Sequence, residues 1–140
     1  MPSNELENLA RAGLIHREPP MQAELDGLLR TGTARLADAA NRTLTLESRF
    51  DLAYDAAHAL SLAALRHAGY RSSNRYQVFQ CLPHTLGVAV AVWRLLAKCH
   101  QMRNQGESEG FLDVDLRLVE DLVDVANTVG ARLLALSPPT

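Results

Sequence analysis

The most regular feature of the sequence is an apolar stripe near its C-terminal end: Val114, Leu118, Leu122, Val125, Val129, Leu133 and Leu136, separated by steps of three and four. That spacing places all seven on one side of an α-helix, since each residue advances about 100° round the axis. Such a helix cannot leave its apolar side in water. It needs partners of similar length, and the rest of the chain supplies them.

Leu46, Phe50, Ala53, Ala57, Leu60 and Ala64 repeat the pattern over about 46–68, with Thr45 as cap and Gly69 as stop. Its mid-helix alanines suggest that another helix packs closely there. Leu25, Leu28, Leu29 and Leu36 mark a helix over about 21–41, introduced by Pro19 and Pro20 and weakened at Gly32, where a bend is expected. A short helix with Ser3 as its cap covers about 3–12 and is prone to fray. A fourth segment, "RYQVFQCLPHTLG", is capped by Ser73 or Asn74 and broken around Pro83 to Gly87. A fifth runs from about Val88 to Met102 or somewhat beyond. Nowhere does two-residue alternation persist with β-branched content, so no strand is expected. The fold class is all-α: an up-and-down bundle of four to six helices in one domain, residues 1–140, with 1–20 a peripheral helix and linker.

Composition narrows the function. A chain of 140 residues with 47% hydrophobic and 21% charged residues can bury a core, and its net charge of −2 gives no general attraction to nucleic acid. Neither a signal peptide nor an apolar run of about 18 residues is evident, which reads as a cytoplasmic protein without a membrane partner. Cys81 and Cys99 lie in apolar helical sequence and behave as small hydrophobes. With His84 and His100 they could in principle hold zinc, but Pro83 disturbs the Cys-x-x-His spacing, so no metal site is expected. No cofactor motif is present: "GTARL" and "GYRSSN" are not phosphate loops, and "GESEG" lies between helices rather than after a strand.

There remains "HQMRNQGESEG", residues 100–110, directly after the apolar run "LGVAVAVWRLLAKC". His100 and Arg103 are three apart and share a helix face, and both suit a helix C-terminus that Gly106 would end. Asp51 and Asp55 of the 46–68 helix could face Arg103 across the bundle and hold its guanidinium, or simply be solvated.

The order of these elements, with "RN" beside a polar turn before a last long helix, resembles the HEPN superfamily over roughly residues 44–136. The resemblance implies a homodimer that brings two such turns together at a cleft, in toxin–antitoxin or defence systems. Some members are RNases and others are partners of nucleotidyltransferases. Catalytic members carry Arg, an adjacent polar residue, and His after four to six intervening residues. Arg103 and Asn104 match the first two, while Ser108, Glu109 and Gly110 occupy the places for the third. Some relatives have tyrosine where Ser108 stands. RNA cleavage needs a base, an acid and a cation; Arg103 supplies the cation, Ser108 cannot replace imidazole, and His100 would make a rearranged site. The expected function is therefore a binding or regulatory module whose Arg103–Asn104 cleft receives RNA, a nucleotide or a protein such as an antitoxin. The alternatives are a metal-independent RNase toxin using Arg103 with His100, and an interaction protein in which "RN" is only a helix end.

Overall fold

A computed structural model of the protein describes residues 4–137, so Ser3 and the terminal prolines lie outside the described residues. Helices α1 (Asn4–Arg11), α2 (Gln22–Ala39), α3 (Leu46–His67), α4 (Arg75–Gln80), α5 (Leu82–Thr85), α6 (Val90–Glu109) and α7 (Leu116–Leu134) account for nearly all of its regular structure. The chain is all-α. The count of seven exceeds the expected range because the Pro83 segment forms two short helices, with the proline in the first turn of α5, where its missing N–H is harmless.

Chain direction follows from contacts between named residues. Arg49 donates to the Ala39 carbonyl at the α2 end, Gly32 lies against Leu60, and Glu24 pairs with Arg66, so α2 and α3 are antiparallel. Tyr54 meets His100 and Asp51 faces Arg103, so α6 also opposes α3. Leu60 reaches Gly130 and His67 meets the Ser137 carbonyl, so α7 runs with α3. The four long helices therefore alternate up and down. Phe50, Ala53, Ala57, Leu60 and Ala64 are buried as expected, but Ala56, Ala59, Ala63 and Leu65 are buried too. Helix α3 is thus covered on more sides than one apolar face would require.

The caps follow local chemistry. Thr45 Oγ1 accepts the Ser48 N–H at 3.1 Å, Asn74 Oδ1 that of Gln77 at 3.3 Å, and Asp115 Oδ1 that of Leu118 at 2.8 Å. On α7 the fully buried residues are Val119, Leu122, Ala126 and Val129, flanked by half-buried Leu118, Val125 and Leu133. The stripe is broader than its large residues alone indicate.

Two glycines act through space rather than through chain flexibility. A Cβ on Gly32 would stand 2.7 Å from two Leu60 carbons and 3.4 Å from the Ala56 carbonyl, which explains this glycine by the close approach of α2 to α3 there. Gly106 does not end α6, as its residue type suggested. A Cβ there would meet the Phe111 carbonyl at 3.0 Å, because the chain turns at Gly110 (φ +84°) and folds back over it.

The expectation of no strands is also corrected. His16–Arg17 (β1) pairs antiparallel with Tyr70–Arg71 (β2), His16 opposite Arg71. Two residues per strand are too few for alternation to register in the sequence. What holds the ribbon is Arg66, whose side chain is fully buried. Its Nε donates to Glu24 Oε1 at 2.5 Å, Nη1 to the Glu18 and Tyr70 carbonyls at 2.8 and 3.2 Å, and Nη2 to the Pro19 carbonyl at 2.7 Å. A second apolar cluster of Leu6, Ile15, Leu65, Tyr70, Val78 and Cys81 lies in the same region and anchors α1, which the sequence suggested would fray.

Arg66→Ala is expected to lower unfolding stability by about 3 kcal/mol, the scale of breaking a buried charge network, in urea denaturation. Gly32→Ala is expected to cost about 1–3 kcal/mol through the forced displacement of Leu60, read as a lower thermal midpoint.

Candidate functional site

Two polar stripes with the same spacing face one another. Helix α3 presents Asp51, Tyr54, Asp55 and His58, and α6 presents His100, Arg103, Asn104 and Glu107, each at i, i+3, i+4 and i+7. Arg75, the first residue of α4, completes the group.

Tyr54 lies at the centre. Its ring stacks on Phe50 with centroids 6.2 Å apart and meets the edge of Phe79 at 5.8 Å, so its position is set by the core. The guanidinium carbon of Arg103 lies 4.9 Å from the Tyr54 centroid and that of Arg75 5.4 Å, both within cation–π range. Its hydroxyl is 2.7 Å from His100 Nδ1, and the other ring nitrogen of His100 is 3.2 Å from Asn104 Nδ2.

The carboxylates position the arginines unequally. Arg75 Nη1 donates to Asp55 Oδ1 at 3.1 Å. Arg103 reaches the same Asp55 at 3.3 Å, Glu107 at 3.8 Å and Asp51 at 4.0 Å, all longer than the 2.7–2.9 Å typical of a charge-assisted hydrogen bond. The expected approach of Asp51 and Asp55 to Arg103 is thus what the structure shows. Two cations stand among three carboxylates, so the cluster is not a basic patch.

Burial sets the protonation states. It pushes the Tyr54 phenol up against the opposing pull of both arginines, which keeps the hydroxyl protonated. His100 is held below the usual imidazole range by burial and by Arg75 and Arg103, and His58 is lowered further, to about 4, mainly by burial. Asp51 is raised by burial in spite of Arg103.

Of the residues singled out in the sequence, the structure brings together Arg103, Asn104 and His100. Ser108 is exposed on α6, five residues and about 140° round the helix from Arg103, outside the cluster. Cys81 and Cys99 are free and buried in different apolar clusters, their thiols pushed up by burial to about 11 and about 12. Among the described residues no group of three or more His, Cys, Asp or Glu side chains is placed to hold a metal, and no helix is long and apolar enough to cross a membrane.

Sequence reasoning missed Tyr54 and Arg75 as site residues. Tyr54 had a signal: Asp-x-x-Tyr-Asp-x-x-His on α3 repeats the spacing of His-x-x-Arg-Asn-x-x-Glu on α6. Arg75 had none, because its place depends on how α4 packs. No protein-family model, curated protein or solved structure matches the chain. The site is accordingly described by its own parts, an arginine–tyrosine–histidine cluster on the side of a helical bundle.

The depressed His58 value has a consequence for acid stability. The unfolded ring takes a proton near pH 6.5 and the folded one only near pH 4, so the folded state binds fewer protons between these values and loses stability as pH falls through them. Thermal midpoints should decline across that window, and less steeply in His58→Gln.

Proposed function

We propose that this protein is a HEPN-like binding or regulatory module of a toxin–antitoxin or defence-type system, working as a homodimer, with RNA or a nucleotide received at the Arg103–Asn104 cluster. An antitoxin or nucleotidyltransferase is the protein partner that the resemblance implies. One observation carries the ligand part of the reading: the contrast between two arginines of the same chain. Arg66 spends its fork on three carbonyls and a carboxylate within hydrogen-bond distance, which is a structural arrangement. Arg103 is half-buried on an aromatic ring, and its carboxylate contacts of 3.3–4.0 Å leave its fork free to rearrange. A guanidinium held in place but loosely paired suits recognition of a planar or phosphoryl oxygen group.

A second reading, metal-independent RNA cleavage, is favoured by one further observation: His100 lies in the same cluster as Arg103 with both ring nitrogens near polar side chains. Incubating the purified protein with mixed RNA separates the readings. Binding without cleavage is expected, weakened on the order of tenfold or more by Arg103→Ala, about 1.4 kcal/mol. Cleavage abolished by Arg103→Ala but retained by His84→Ala would establish the RNase instead. Unchanged binding of RNA and protein partners in Arg103→Ala would reduce "RN" to a helix end.

A further inference from the structure

We propose that Tyr54 is a positioning residue that fixes His100 as its Nε2–H tautomer, so that His100 meets a ligand as a hydrogen-bond donor beside Arg103 and not as a base. The argument begins with the phenol oxygen. Arg75 and Arg103 stand over the Tyr54 ring, their guanidinium carbons 5.4 and 4.9 Å from its centroid, and a guanidinium only donates, so neither can take the phenol proton. The Tyr54 proton must then go to an acceptor, and His100 Nδ1 stands 2.7 Å away. An imidazole nitrogen that accepts has no proton of its own. In a neutral ring the proton is therefore on Nε2.

The ring is neutral near pH 7, because burial and the two arginines disfavour its cation. The groups that act on it are Tyr54 and His58 of α3, Arg75 of α4, and Arg103 and Asn104 of α6, while Asp51, Asp55 and Glu107 engage the arginines. Asn104 Nδ2, 3.2 Å from Nε2, is a donor as placed and would favour the opposite tautomer, so the proposal requires this exposed amide to turn over and present its carbonyl to Nε2–H. The buried Tyr54 thus decides the tautomer and the exposed Asn104 follows it.

The chemical consequence is specific. Abstraction of a 2′-hydroxyl proton needs a bare nitrogen facing the ligand, and the His100 lone pair points inward to Tyr54. Nε2–H and the Arg103 fork together suit an anionic oxygen, for which a phosphoryl oxygen of RNA or of a nucleotide is the fitting occupant. The identity of that occupant rests on the RNA reading above, whereas the tautomer does not.

The test is a ¹⁵N-labelled NMR spectrum of the whole protein, read through long-range couplings within the histidine rings, with His100→Gln identifying the signals. The wild type is expected to show an unprotonated Nδ1 and a protonated Nε2 for His100, and Tyr54→Phe a mixture of tautomers. A wild-type Nδ1–H form, or a tautomer unmoved by Tyr54→Phe, would overturn the assignment. If the variant does not fold, a wild-type Nδ1–H form still overturns the assignment. Addition of a short single-stranded RNA is expected to shift the Nε2 signal. The expected tautomer with no RNA response would uphold the role of Tyr54 and sink the RNA reading.

Discussion

Arg66 is a full guanidinium charge with no contact with water, and the N-terminal third of the molecule is arranged around it. A buried cation is tolerated only where its N–H groups are all met, and here the partners come from the Glu18–Pro19 turn, the Tyr70 strand and Glu24 of α2. Two segments 42 to 48 positions earlier in the chain and a strand four residues later converge on one residue of α3. Around this point Arg71 pairs with both Glu18 and Glu24, and Arg17 with Glu7, extending the network toward the surface. The two-residue ribbon could not persist alone, since so few ladder bonds do not offset the ordering of two chain segments. It exists because Arg66 fixes its ends.

From that anchor α2 is laid along α3 at a separation only glycine and alanine permit. Gly32 against Leu60, with Ala56, Ala57, Ala63 and Ala64 buried, brings the two backbones close along the middle of α3, whereas Arg49 and Arg66 meet α2 only near its two ends. The Asp51–Tyr54–Asp55–His58 stripe lies on the side that α4 and α6 cover. Helix α6 buries little of its length, with only Leu96 and Cys99 fully enclosed, whereas the short α4 encloses Val78 and Phe79. A stripe of polar residues under a thinly packed helix is where partial burial, shifted protonation and accessibility can coexist. The site thus lies across α3 from that tight packing.

The long helices were legible from their periodicity, and α3 and α4 from their caps as well. Thr45 and Asn74 cap as their residue types predict, and the facing of Asp51 and Asp55 toward Arg103 follows from helical spacing once two helices are assumed antiparallel. What was not legible depends on tertiary contact. Gly106 reads as a stop by propensity, yet it stays helical because Phe111 returns across it; Gly110, with its positive φ, is the true terminus. The ribbon at 16–17 and 70–71 has no local signal, since its stability comes from Arg66. Tyr54 looked like one more residue of a core helix, and its hydroxyl acquires meaning only when His100 arrives from another helix 46 positions later.

The charge balance of the cluster also bears on specificity. Had Arg75 and Arg103 stood alone, the patch would attract any polyanion through long-range electrostatics. Asp51, Asp55 and Glu107 remove that pull, so an anion gains from Arg103 only if it reaches the guanidinium closely enough to displace contacts of 3.3–4.0 Å. Arg75, bonded more closely to Asp55, remains behind as a fixed support for the Tyr54 ring. Recognition at such a site depends on shape and on hydrogen-bond direction rather than on net charge, which agrees with a chain whose overall charge is −2. A loosely paired arginine, a fixed histidine and the aromatic ring between them can select a ligand that a bare cationic surface would merely collect.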